Sequence, residues 1–343
     1  MKKTTGLVIK FMPLHKGHES LLKFADNFVD QLFVVVDNVN PELFPEYISG
    51  EKRVAWIQEL LPSAKVFYIG ENTPQQPDEH PDFWNYWKNI LLNITKIVPD
   101  FLIASEEYGF KLEVLDCEYI PFDIGRNMIS TCATDIRFDL SNNFDYLSDI
   151  AKKDFTAKIC ITGPESTGKS TLAGQLAESF DTISIPEYAR DFTELKIEKD
   201  SNFEFSLSDM YHIKGQISLE DSMMSQANKV LFSDTDALVT TVRSRWLCDG
   251  KIDNRLEKLA QEKRYDLYLL TYPDIEWEKD NIRYFPEEDE RIRFFEDCKA
   301  GLEKIANYIV VKGQGKERFE MAREIVEKFM KEKYKYNYFI KGR

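Results

Sequence analysis

The segment Gly163-Pro164-Glu165-Ser166-Thr167-Gly168-Lys169-Ser170-Thr171 constrains the fold of this chain more than any other stretch. Its first eight residues fit G-x-x-x-x-G-K-[ST], a loop that wraps backbone N–H groups around phosphate oxygens. Glycines at the tight points remove Cβ clashes, and the N-terminus of the following helix adds partial positive charge. The apolar run 157–162 predicts a strand before the loop, and 169–180 a helix after it, which is the context such a loop requires. There Lys169 reaches the β- and γ-phosphates of ATP, and the Ser170 hydroxyl is placed to hold Mg²⁺. A strand, loop and helix of this kind belong in a parallel sheet with helices on both faces.

The rest of the chain carries the same alternation twice. After the loop, 182–185, 230–233, 266–270 and 308–311 read as strands, and a helix runs from about Glu317 to Tyr334. Before it, 6–9, 32–37, 66–69, 101–104 and 117–121 read as strands, with helix-spaced apolar residues over 18–29 and 51–61. The polar stretch 141–154 holds enough apolar residues for a short helix, and the boundary falls near its end. The expected fold is α/β in two domains, 1–150 and 155–343, which suits a length of 343 residues.

Composition excludes several classes. A net charge of -14 argues against sequence-independent nucleic-acid binding, which depends on Lys and Arg neutralising phosphates, and against adhesion to anionic membranes. No apolar run approaches the ~20 residues of a membrane span. The five cysteines are scattered, without paired spacing, which argues against a disulfide framework or zinc ribbon and places the protein in the cytoplasm. Nothing in the sequence excludes a homo-oligomer.

Around the phosphate loop, other residues point to phosphoryl chemistry. The strand at 230–233 runs into Asp234 and Asp236; alternation puts both carboxylates on one face. One supports Mg²⁺, and the other accepts a proton, binds a sugar hydroxyl or caps a helix. Glu187 and Arg190 follow the strand at 182–185, at the sheet edge where ligands bind in such folds. Arg283, Arg291 and Arg293 lie in a charged stretch that either forms a lid over ATP or is a solvated face.

A second phosphate device opens the chain. Lys10-Phe-Met-Pro-Leu-His15-Lys-Gly-His18 follows the first strand and leads into a helix. No third His and no Cys lies nearby to complete a zinc site. Imidazole donors at a helix N-terminus instead suit a triphosphate, neutralising charge that builds on the α-phosphate. The segment 130–137 places small hydroxyl residues, Thr134 among them, before Arg137, a combination that grips phosphate. Lys10, His15, His18 and Arg137 are the candidates for that triphosphate.

Together the two motif sets resemble a known family. The first half is similar to H-x-G-H nucleotidyltransferases, in particular nicotinamide mononucleotide adenylyltransferases of the NadR type, and the second to their ribosylnicotinamide kinase domain. The resemblance rests on 10–18, Ile-Ser-Gly-Glu-Lys-Arg-Val (48–54), Ser-Glu-Glu-Tyr-Gly (105–109), Ala-Thr-Asp-Ile-Arg (133–137), 163–171, Pro-Glu-Tyr-Ala-Arg (186–190) and Ser-Asp-Thr-Asp-Ala-Leu-Val-Thr-Thr (233–241). It implies a Rossmann-like transferase joined to a P-loop kinase. The kinase would convert nicotinamide riboside to nicotinamide mononucleotide with ATP and Mg²⁺. The transferase would join that mononucleotide to a second ATP, giving NAD and pyrophosphate. On this reading Asp234 or Glu187 orients or deprotonates the 5′-hydroxyl, and Arg53 holds the mononucleotide phosphate. Trp84 or Trp87 stacks on the nicotinamide ring or packs in the core.

The sequence departs from the family pattern at Ile9, where Gly is usual, and at Cys132, where Ser is usual. A first strand by residue 6 leaves no room for the N-terminal helix-turn-helix of some relatives, so a repressor role does not carry over. Two other readings stand beside the main one: an active riboside kinase with an inactive or differently specific transferase half, and a non-catalytic regulator that senses NAD and ATP.

Overall fold

In the computed structural model, residues 4–9, 11–38, 48–74, 77–106, 111, 115–130, 132–212, 214–279 and 282–336 are described. Lys10, Thr131 and positions 107–109 of the family motif lie outside them. The chain divides into two compact units, Met1–Asp154 with Glu332–Arg343, and Phe155–Lys331. No helix among the described residues is long and apolar enough to cross a membrane.

The first unit alternates β1 (Thr5–Ile9), α1 (Lys16–Phe28), β2 (Gln31–Asn38), α2 (Gly50–Leu60), β3 (Lys65–Asn72), α3 (Phe83–Thr95), β4 (Phe101–Ala104) and β5 (Glu118–Pro121). Three short helices follow, α4 (Ala133–Phe138), α5 (Leu140–Asn143) and α6 (Asp149–Phe155). The strands form one parallel sheet in the order β3-β2-β1-β4-β5. Strand order reverses at β1 and β4, so the loop after β1 opens at a topological switch point, where ligands of such sheets bind. That loop ends at His15 and leads into the first turn of α1, which carries His18. The chain reverses within the loop at Phe11, buried and at φ 111°. One face of the sheet is covered by α3, whose Phe83, Trp87 and Leu91 recur every fourth residue and are all buried.

The second unit contains β6 (Ala157–Thr162), α7 (Lys169–Ser179), β7 (Ser184–Ile185), α8 (Tyr188–Lys199), α9 (Leu207–His212), α10 (Gly215–Met223) and β8 (Val230–Asp234). It continues with α11 (Ala237–Leu247), α12 (Asn254–Gln261), β9 (Leu267–Thr271), α13 (Glu288–Ile305), β10 (Tyr308–Val311) and α14 (Gly315–Tyr336). Its sheet is also wholly parallel, in the order β10-β9-β6-β8-β7. Every residue of β8 and β9 is buried, as expected for central strands covered on both faces. Leu172 and Leu176, one turn apart on α7, are buried against the strands and against Ala322 and Val326 of α14. Burying a leucine contributes about 1.5–3 kcal/mol. That face fixes the helix whose first residue is Lys169.

Both sheets agree with the α/β reading, to within one or two residues at most strand ends. The polar stretch 141–154 is helical, as α5 and α6.

Candidate active sites

The loop at 163–170 folds as its glycines require. Gly163 sits at φ 135°, and a Cβ there would lie 2.7 Å from Thr271 Oγ1 and 2.8 Å from the Thr271 carbonyl oxygen. Behind the loop, the buried Arg318 guanidinium donates to the carbonyls of Thr167, Tyr272 and Gly313 and pairs with Asp274. Lys169 Nζ donates to the loop's own Pro164 carbonyl at 2.8 Å, which holds the cation over the loop. Ser170 Oγ donates to Asp234 Oδ2 at 2.5 Å. A hydroxyl and a carboxylate oxygen that converge in this way are hard ligands and fit Mg²⁺. No group of three or more His, Cys, Asp or Glu among the described residues is placed to hold a metal alone. Nucleotide oxygens and water would have to complete the coordination shell.

Beside the loop opens a cavity of about 390 Å³, lined by Lys169, Ser170, Glu187, Arg190, Asp234 and Arg243 among others. Glu187 Oε1 accepts from Arg243 Nη1 at 3.1 Å. Burial alone acts to raise the Glu187 carboxyl, but Arg243, Lys169 and Arg190 together bring it below its ordinary value. Asp234 moves the other way. Burial raises it, Lys169 opposes that rise, and the charge of Glu187 reinforces it. Two neighbouring carboxyls pushed apart in this way suit different roles. A second cavity of about 280 Å³ lies on the other flank of the loop and shares Ser166, Gly168, Thr171 and Arg283 with the first.

Other predicted residues are placed differently. Asp236 does not share a face with Asp234, because β8 ends at Asp234 and the chain turns at Thr235, φ 81°. Its carboxylate caps α11, accepting from Val239 N at 3.1 Å, and is buried. Arg283 donates to Ser166 Oγ at 3.4 Å and lines both cavities. Arg291 is buried and donates to the carbonyls of Ser166 (3.2 Å) and Ile275 (2.8 Å), so it braces the loop rather than belonging to a free lid. Arg293 is exposed and lies over the Trp246 ring. Arg190 pairs with Glu194 at 3.3 Å on the cavity rim. Glu165, in the loop itself, accepts from Phe285 N at 2.6 Å and ties down the segment that carries Arg283.

In the first unit, His15 is the N-cap of α1. Its Nδ1 accepts from Gly17 N (3.1 Å) and His18 N (3.4 Å), so the neutral ring carries its proton on Nε2. His18 stacks on His15 with 3.7 Å between ring centroids. Its Nδ1 donates to the Pro13 carbonyl at 3.1 Å, and Phe11 packs edge-on against its far side. Arg137 Nη1 donates to the Met12 carbonyl at 2.5 Å and Nη2 to Thr134 Oγ1 at 2.9 Å. The four predicted residues His15, His18, Thr134 and Arg137 are thus brought together. Cys132 caps α4, its Sγ accepting from Asp135 N at 3.4 Å, which is the backbone-binding part of the work a serine would do there. Ile9 ends β1 and packs against the aromatic core around Phe83 and Trp87.

Burial, Arg126 and Arg137 lower His15 to about 4; burial above all, then His15, carries His18 well below its usual value. Both rings are neutral at pH 7. An unfolded chain takes up a proton near 6.5, whereas folded His15 resists until about 4. Stability therefore falls as pH drops through that window, by on the order of 3 kcal/mol for a shift of this size, and is flat above it. Unfolding of the full chain followed by calorimetry between pH 7.5 and 4 should show the loss. His15→Gln should flatten that part of the slope, and an unchanged slope would rule out His15 as its source.

Arg53 is buried and donates from Nη2 to the Asp37 carbonyl at the end of β2, 2.9 Å away; its Nε and Nη1 have no hydrogen-bond partner among the described residues. Trp87 is a core residue, 4% exposed, with Nε1 donating to the Pro74 carbonyl. Trp84 lies at the rim of the same core, 4.9 Å from the Phe83 ring.

Residues 158–318 match the family model described as an AAA domain. The trifunctional NAD biosynthesis/regulator protein NadR of Escherichia coli K12 is 30% identical over 297 residues, covering 82% of this chain and 72% of that protein. Its Salmonella typhimurium counterpart is 29% identical over the same span. Among solved structures, a NadR protein in complex with NR superposes with a TM-score of 0.68 at 21% identity, covering 96% of both chains. A NadR protein in complex with NAD and AMP-PNP does so at 22% identity, with the same TM-score and coverage. The likeness of fold thus takes in both units.

Proposed function

The chain belongs to the NadR family, and on that premise we propose that it makes NAD from nicotinamide riboside in two ATP-consuming steps. The observation that carries the reading is a separate phosphate-handling cluster at the switch point of each sheet. One is a loop with Lys169 and the Ser170–Asp234 pair; the other joins two stacked histidines to Arg137. Both units follow the plan of the relatives. The solved NadR chains with NR, and with NAD and AMP-PNP, support the choice of substrates.

In the second unit, the riboside takes the cavity between Glu187 and Asp234, and ATP lies along the loop with its base on the opposite flank. Lys169 and Arg283 neutralise charge on the transferring phosphoryl group. Ser170 and Asp234 would hold Mg²⁺, which when bound would supply charge neutralisation to the ATP phosphates. Glu187, ionised and held by Arg243, orients the 5′-hydroxyl and takes its proton. The oxygen attacks the γ-phosphorus, the bond to the β-phosphate oxygen breaks, and ADP leaves.

In the first unit, the mononucleotide phosphate is already an anion and attacks the α-phosphorus of ATP without a general base. Pyrophosphate leaves. Catalysis is positioning and charge neutralisation by His15, His18 and Arg137, with Lys10 as a further candidate cation. Arg53 is the candidate for the mononucleotide phosphate.

The test is to supply the full chain with nicotinamide riboside, ATP and Mg²⁺ and separate the products by chromatography. NAD formation is expected. Accumulation of the mononucleotide alone would limit the chain to the kinase step. Tight NAD binding with no turnover would overturn the enzyme reading.

A further inference from the structure

Glu187 is the N-cap of α8, yet its side chain makes no capping bond. An N-cap carboxylate normally accepts from the second or third amide of its helix, which would fold it back onto that helix. The first amide, that of Tyr188, is satisfied from outside. Gln216 Oε1, on α10, accepts from Tyr188 N at 2.8 Å. The same side chain reaches the residue before the second acid. Its Nε2 donates to Ser233 Oγ at 3.1 Å, and Ser233 immediately precedes Asp234 on β8. Ser233 Oγ in turn donates to Glu220 Oε1 at 2.6 Å, which also accepts from the Tyr265 hydroxyl. Gln216, Glu220 and Ser233 are at most 3% exposed, and none of them lines either cavity beside the loop.

We infer that Gln216 is a positioning residue for the kinase step: it ties the backbone of the Glu187 turn to the Ser233 hydroxyl at the Asp234 strand end and so sets the spacing of the two carboxylates. The inference rests on the assignment of Glu187 and Asp234 to riboside phosphorylation. The amide suits this bridge because it presents one acceptor and one donor on a rigid plane, and the two ends need one of each. A hydrophobic residue of similar size would leave the Tyr188 N–H without its acceptor. The Glu187 turn would then be untied from β8, and its carboxylate would lose its fixed distance from Asp234.

The test is a double-mutant cycle in the full chain, measuring mononucleotide formation from the riboside and ATP. Gln216→Leu should lower kcat roughly tenfold to a hundredfold, in line with the cost of misplacing a reacting group by about an ångström. The KM for ATP should stay within about twofold, because the phosphate loop is held by other bonds. In the Glu187→Gln background the same substitution should cost little further, since the group it positions is already disabled. An unchanged kcat, or an equal loss in both backgrounds, would overturn the inference. If Gln216→Leu does not fold, Ser233→Ala is read on the same cycle. It cuts the bridge at β8 and should show a smaller loss that likewise vanishes in Glu187→Gln. A chain that forms no mononucleotide before any substitution overturns the kinase assignment itself, and this inference with it.

Discussion

Replacing Lys169 by Ala should lower riboside phosphorylation by about 10²–10³-fold, while the same protein still converts supplied nicotinamide mononucleotide and ATP to NAD at its original rate. The magnitude is that of removing one well-placed donor from developing transition-state charge. The side chain is buried at the start of α7, and its one hydrogen bond among the described residues is to the Pro164 carbonyl. Its removal should disturb the fold little beyond that bond. Loop shape is set by Gly163 and by the Arg318 guanidinium underneath, neither of which depends on the lysine. ATP binding at the loop should weaken less than turnover falls, because the backbone amides remain. Coupling NAD formation to an alcohol dehydrogenase, with riboside and mononucleotide offered in parallel, separates the two activities in one preparation. A variant that loses both activities equally would contradict the assignment of one site to each unit.

That independence also explains which parts of the protein were legible in the sequence. The phosphate loop and the histidine motif are local. Their meaning lies in spacing within nine residues, and a strand before and a helix after suffice to confirm them. The parallel sheets were legible for the same reason, as apolar runs separated by amphipathic ones. For Asp236 the helix-cap alternative holds, and the shared face with Asp234 fails because strand alternation was extended past the strand's end. The left-handed turn at Thr235 rotates the next side chain onto a helix terminus, and no periodicity announces such a turn. Trp87 did carry a signal, the apolar stripe Phe83, Trp87, Leu91 at four-residue spacing, which marks a buried helix face rather than a ligand-facing ring. Arg318, Arg243 and Gln216 carried none. Arg318 contacts a carbonyl 151 positions away, and Gln216 lies outside the motifs but works through an amide and a hydroxyl that sit in two different ones, 28 and 17 positions from it. Buried polar residues that brace a site from behind become visible only once the fold has placed their partners.

Replacing His18 by Ala should have the mirror effect: NAD formation falls about 10²–10³-fold, and with riboside and ATP supplied the mononucleotide accumulates. His18 is a cleaner probe than its neighbour. His15 caps α1 through Nδ1, so His15→Ala would also cost the helix about 1 kcal/mol and blur a catalytic loss with a structural one. The His18 ring makes one hydrogen bond among the described residues, from Nδ1 to the Pro13 carbonyl, and leaves Nε2 as its second polar atom. Without nucleotide the ring is neutral, its proton affinity lowered by burial and by His15. A triphosphate beside it acts in the opposite direction, because nearby negative charge favours the imidazolium and turns Nε2 into a donor. The ring can thus gain charge where the reaction gains it, which an alanine cannot imitate and an asparagine imitates only as a neutral donor. His18→Asn should therefore recover part of the rate but not all of it. Retention of full NAD synthesis by His18→Ala would remove His18 from the mechanism and leave His15, Arg137 and Lys10 to carry the α-phosphate.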